Sequence, residues 1–181
     1  MNEKSIEYQG GKYTLNGDYW IDESYMITPS SIQMELNQIC FSEEILNETD
    51  IDILVETGDR YKKSSSISLA IKCYRRAIEI AEANDNISKL QSILARLTSC
   101  LRDQGKPEEV VSLFASTKKR FNSKIFNSAL LTSVAAAYCD LQEYENAKKC
   151  CDRAYALSGG KVSGELRSVY GRIKKEYGEF N

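Results

Sequence analysis

The chain has 181 residues, a net charge of −2, 42% apolar side chains, two prolines and no histidine. That length holds one domain, or one domain with an arm. Without histidine there is no Ser-His-Asp or Cys-His arrangement and no zinc site of the usual Cys/His kind, and no run approaches the roughly 18 apolar residues of a membrane span.

The charge is unevenly spread. Residues 1–57 hold 12 acids and 2 bases, and residues 58–181 hold 14 acids and 22 bases, so a segment of −10 precedes one of +8. An acidic arm on a basic body follows from this. Residues 1–12 are polar, include Gly10-Gly11 and predict a mobile start without a secretory signal. The dipeptide Asn16-Gly17 sits between Tyr13-Thr14-Leu15 and Tyr19-Trp20-Ile21, a hairpin signal because both turn residues take positive φ. A lone hairpin is marginal in water. Tyr13, Tyr19 and Trp20 must therefore pack on the chain's own first helices or form a contact surface for another molecule. Thr28-Pro29-Ser30-Ser31 opens a short helix near 32–40, with Ser30 and Gln33 in capping-box spacing. Residues 1–48 make up the acidic arm.

Residues 49–181 are expected to form helix pairs: 50–63 with 66–83, 87–104 with 107–120, and 124–141 with 144–157. Gly159-Gly160 then breaks the chain before a last helix at 162–177. Ser64-Ser65-Ser66, Asn84-Asp85-Asn86 and Gly105 before Pro107 are the stops and starts. The pairs repeat. Leu54, Leu94, Leu131 and Leu166 recur at spacings of 40, 37 and 35 residues. Gly58, Thr98, Ala135 and Tyr170 keep the same intervals, as do Tyr61, Leu101, Tyr138 and Ile173. In the second helices the series are Ala70, Val110 and Ala147; Tyr74, Phe114 and Cys151; and Ala77, Thr117 and Ala154. Self-similarity at this period marks an all-α helix–turn–helix solenoid of about three repeats with a closing helix.

On these residues the chain resembles the tetratricopeptide repeat (TPR) family, whose signature runs bulky residue, Leu, small residue, Tyr, then Ala, an aromatic and Ala. The third unit fits best, through Leu131, Val134, Ala135, Tyr138, Tyr144, Ala147 and Ala154. The first fits through Leu54, Gly58, Tyr61, Ala70, Tyr74 and Ala77. The second departs at Leu101, Val110 and Thr117, and the closing Pro is missing throughout. The resemblance covers roughly residues 50 to 178. It implies a groove lined by the first helices of successive pairs, and hence a protein–protein interaction scaffold, adaptor or regulatory subunit rather than an enzyme, with no cofactor. Mapped onto this chain, the groove takes Glu56, Asp59 and Lys62, then Arg96, Ser99 and Arg102, then Thr132, Ser133 and Ala136, and finally Arg167 and Lys174. The floor is small and the walls are basic, which suits an acidic or extended segment of a partner protein. Chaperone-binding members clamp a carboxylate with Lys and Asn at places held here by Val55, Asp59, Arg96, Ala129 and Ser133. One of those is basic and none is Asn, so that ligand is not expected.

Other chemistry is thin. Cys150 and Cys151 have Lys148, Lys149 and Arg153 nearby, which lowers a thiol pKa when the thiol is exposed, but Cys151 falls on an apolar face as core filler. Six cysteines without a C-x-x-C pair suit reduced thiols and a cytoplasmic protein. Nucleic acid is the alternative partner, through Arg75-Arg76, Lys118-Lys119-Arg120, Lys124, Lys148-Lys149 and Arg172, Lys174 and Lys175, although a pI near 5.4 opposes it.

Overall fold

The computed structural model describes residues 4–16, 19–121 and 125–177. The chain divides into two compact units, residues 1–48 and 49–181.

In the first unit β1 (Ser5–Tyr8), β2 (Gly11–Asn16) and β3 (Tyr19–Ile21) form an antiparallel sheet in that order, followed by α1 (Ser30–Asn47). The expected hairpin is present, with Asn16 paired to Tyr19, although Gly17 of its turn lies outside the described residues. A second hairpin was not expected. Tyr8 pairs with Gly11 across Gln9 and Gly10, at φ 50° and 82°. Two positive-φ residues make the tight turn that joins right-twisted strands, so Ser5–Tyr8 of the start expected to be mobile is a paired strand; residues 1–3 lie outside the described residues. Helix α1 also runs longer than 32–40. Ile32, Leu36 and Cys40 share one face, and Leu36 and Cys40 enclose the fully buried Trp20 together with Ile6, Tyr8, Tyr13, Leu15 and Ile32. The capping box does not form: Pro29 precedes the helix without a side-chain cap. Gln33 turns instead to Trp20, accepting from its backbone N–H at 2.9 Å and donating to its carbonyl at 2.7 Å. The Trp20 indole N–H donates to Asn37 Oδ1 at 2.7 Å. Trp20 is therefore a core residue and leaves the candidate contact surface. Tyr13 packs against the same core, and Tyr19 is the one of the three that is exposed.

Among its described residues the second unit has only helices as regular elements: α2 (Ile51–Lys63), α3 (Ile67–Ala83), α4 (Ile87–Asp103), α5 (Pro107–Phe121), α6 (Ser128–Asp140), α7 (Tyr144–Leu157) and α8 (Gly164–Tyr177). Helix α3 packs on both α2 and α4, α6 on α4, α5 and α7, and α8 on α6 and α7. Helix α6 starts later than the expected residue 124, which lies outside the described residues. Asn127 caps it, accepting from the Leu130 N–H at 2.8 Å.

The connections repeat as closely as the helices do. Ser65, Asp85, Gly105, Gln142 and Gly159 each take positive φ one residue past the C-cap. After each, the chain closes with the same pair of bonds, for example Lys106 N–H to Leu101 O and Gly105 N–H to Arg102 O. This is the Schellman arrangement, which satisfies the last carbonyls of a helix. Three of the five positions carry a side chain at a backbone conformation that normally selects glycine. The buried residues keep the sequence period: Leu54, Leu94, Leu131 and Leu166 are at most 2% exposed, and Ala70, Val110 and Ala147 are 0% exposed. Gly58 is required by a close approach, because a Cβ there would stand 2.7 Å from Cε1 of Tyr74.

Candidate functional site

A cleft of about 420 Å³ opens across α4, α6 and α8. Its floor is small: Ala95, Ser99, Ala129, Thr132, Ser133, Ala136 and Ser168. Small residues here follow from the repeat, whose first helices approach one another closely and carry few long side chains on this face. Lys62, Arg96, Arg102, Arg172 and Glu165 stand around it. Thus Lys62, Arg96, Ser99, Arg102, Thr132, Ser133 and Ala136 of the residues expected from sequence come together. Glu56, Asp59, Arg167 and Lys174 do not line the cleft. Arg172 takes the place expected for Arg167 and Lys174. It lies one helical turn after Ser168, so a face count starting at Ser168 finds it.

The cleft differs electrostatically from the expected basic groove. Arg96 Nε donates to both Asp59 oxygens, at 3.1 and 3.3 Å, and its Nη1 donates to Ser92 Oγ at 2.6 Å. Asp59 also accepts from the Tyr74 hydroxyl at 2.6 Å. Lys62 Nζ donates to Ser99 Oγ at 2.7 Å and stands 3.5 Å from Asp103. Asp140 bridges two cations: Arg102 Nε reaches one oxygen at 2.9 Å and Arg172 Nη2 the other at 2.7 Å. The walls are cationic, but carboxylates behind them hold and partly neutralise each cation. One arrangement leaves surplus charge, since Asp140 serves two guanidinium groups. The Ser133 hydroxyl is buried and has no hydrogen-bond partner among the described residues, which carries a desolvation cost.

These pairings carry a signal that the sequence contains. Asp59 and Arg96, and likewise Asp52 and Lys89, are 37 residues apart, and Arg102 and Asp140 are 38. Opposite charges one repeat apart face each other on neighbouring first helices, so the spacing narrows the candidates and the structure decides which of them pair.

Burial raises the thiols rather than activating them. Burial pushes the Cys150 thiol up to about 11 and the Cys151 thiol to about 12. Cys73 rises to about 11 for the same reason, and Cys100 and Cys139 are raised too. All six cysteines are free and buried. The lysines and arginine beside Cys150 therefore do not yield a thiolate at neutral pH. Burial, and then a hydrogen bond to Asp59, holds the Tyr74 hydroxyl far above its ordinary value, and Tyr170 repeats this with Asp152 at 3.0 Å. Among the described residues no group of three His, Cys, Asp or Glu side chains is placed to hold a metal ion.

No family model matches the sequence, and no curated protein matches it. A chain in the cryo-EM structure of the Sec complex from S. cerevisiae (Sec61 pore ring and Sec63 FN3 double mutant, class without Sec62) aligns with 94% of this chain and 99% of its own, at 17% identity and a TM-score of 0.48. That likeness is too low to carry an argument about this chain. No described helix is long and apolar enough to cross a membrane.

Proposed function

We propose that the helical unit is a non-catalytic scaffold, of the TPR kind, that takes an extended segment of a partner protein in the cleft across α4, α6 and α8. The protein then serves as an adaptor or regulatory subunit of a larger complex. The observation that supports this most is the cleft itself: a floor of small residues beneath a wall of cations. A small floor admits a backbone and its side chains, and the cations favour acidic residues of the partner. Arg102 and Arg172 are the strongest candidates for that contact, because they share one carboxylate. Reduced, buried thiols suit a cytoplasmic setting.

A photo-crosslinking amino acid at Ala129 or Ser168 tests the reading, with Ser112 on α5 as the comparison site. The expected result, in cells of the source organism, is one discrete adduct from the cleft positions, mapping to an acidic extended segment. Adducts from Ser112 alone would overturn it.

A further inference from the structure

The cleft has two unlike ends. Each helix lines it over the same stretch: Ala95 to Arg102 on α4, Ala129 to Ala136 on α6, and Glu165 to Arg172 on α8. Seven positions of helix are two turns, about 10.5 Å of rise. Asp140, the last residue of α6, accepts from Arg102 of α4 at 2.9 Å and from Arg172 of α8 at 2.7 Å. That contact gathers the C-terminal parts of the three helices. Arg102, Ala136 and Arg172 therefore mark one end of the cleft, and Ala95, Ala129 and Glu165 the other.

The charges divide in the same way. Arg96 is held by Asp59, and Lys62 stands beside Asp103, one carboxylate to each cation. Arg102 and Arg172 share Asp140, so this group of two guanidiniums and one carboxylate carries a net charge of +1. Their side chains are 28% and 40% exposed. Arg102 binds Asp140 through Nε and Arg172 through Nη2, and a guanidinium has five N–H groups, so both keep donors for a ligand. Glu165 is exposed at the opposite end and has no cation at ion-pair distance among the described residues.

Resting on the scaffold reading above, we propose that the cleft selects a dipolar segment of its partner protein. The segment lies extended along α6. Its carboxylate side chain pairs with Arg102 and Arg172, and its lysine or arginine pairs with Glu165. An extended chain advances about 3.3 Å per residue, so the two charged residues stand about three positions apart. The charge count selects these groups. One carboxylate brings Arg102, Asp140 and Arg172 to neutrality, whereas a phosphate, at about −1.5 to −2, leaves them net negative. A run of acids would set like charge against Glu165, which disfavours the wrong partner. Ala95 and Ala129 beside Glu165 leave room for a long side chain, whose methylene stem packs on their methyl groups. Glu165 is then the residue that distinguishes a dipolar segment from a purely acidic one.

The test is an NMR titration of the nitrogen-15-labelled full chain with terminally blocked peptides. One carries Gly-Lys-Ala-Ala-Glu-Gly and a second the reverse order. A third has alanine for the lysine, and a fourth phosphoserine for the glutamate. The expected result is that one dipolar peptide shifts the amides of Ala129, Ala136 and Ser168 and binds about two- to fivefold more tightly than the acid-only peptide, the worth of one exposed ion pair. In Glu165→Gln that ratio should fall to about one, and the dispersion of the same spectra confirms that the variant folds. Equal affinity for the dipolar and acid-only peptides, or a ratio unchanged in Glu165→Gln, overturns the proposal while leaving the scaffold reading, because the cleft amides still move. Tighter binding of the phosphoserine peptide overturns it in favour of a phosphate. Cleft signals that move on dilution of the chain alone overturn it in favour of a second copy. Shifts only outside the cleft, or none at millimolar peptide, overturn the proposal and the scaffold reading together.

Discussion

In the sheet-and-helix unit one side chain, Trp20, fills the centre and collects the hydrogen bonds of Gln33 and Asn37. In the helical unit the buried positions are distributed, one set per repeat, from Leu54 to Leu166. A core of the first kind depends on a single residue. A core of the second kind is a sum of similar interfaces, each resting on its neighbours. The first unit also sets its register by hairpin turns, whereas the second reuses one helix-ending turn five times.

Trp20→Ala should break that contrast most sharply. It costs about 3–5 kcal/mol, a large share of what so small a unit has. Hydrogen exchange should show α1 losing protection while α2 to α8 keep theirs. Loss spread evenly over both units would contradict independent cores.

Gly58→Ala tests the distributed core. The added Cβ meets the Tyr74 ring, and overpacking of this kind costs about 1–3 kcal/mol. Gly171→Ala is its counterpart, with nothing within 4 Å of the new Cβ, and should stabilise by up to ~1 kcal/mol. Thermal melts of the two variants should move in opposite directions.

Asp140→Asn removes the counter-ion shared by Arg102 and Arg172. The pairs are partly exposed, so the expected loss is about 1 kcal/mol or less, read by chemical denaturation. The same change frees both guanidinium groups and should tighten binding of an acidic partner segment in the cleft.

Gln142→Gly should stabilise by a few tenths to ~1 kcal/mol, because Gln142 holds φ at 61° where glycine has no steric penalty. Gly105→Ala, at φ 71°, should do the reverse by a similar amount.

Alkaline pH probes the distributed core of the helical unit. Folding favours the un-ionised thiol, so the native chain retains protons that the unfolded chain releases. The contributions of Cys73, Cys150 and Cys151 are complete below the ordinary thiol value of 9 and are lost as the pH climbs toward 11 or 12. Denaturation midpoints should be flat up to about pH 9 in this respect and then fall. At pH 8 alkylation of these thiols should be far slower in the native chain than in urea.

Where sequence reasoning missed, the cause is local chemistry settled by tertiary contact. Gln9 carries no turn signature, yet it takes positive φ because the chain must reverse between two strands that cover Trp20. Gln33 sits where a capping box expects it but has a better partner in the Trp20 backbone. Helix α1 continues past Cys40 to Asn47, with Ile45 only 4% exposed. Seven cleft residues were legible because the repeat fixes which helix face they occupy. Arg172 was missed because the α8 face was counted through Arg167 and Lys174, whereas the cleft is lined through Ser168 and Arg172, and the neutralised state of the walls was missed because each pair joins neighbouring repeats.

The sequence by itself determined the helix pairs, their register and the small floor of the cleft, since these follow from periodic spacing of buried and small residues along the chain. Only the tertiary structure decided which charges cancel and which remain. Ion pairs form between side chains that are distant in sequence, and a charge has meaning only beside its neighbours in space. Asp140 between two arginines is of that kind.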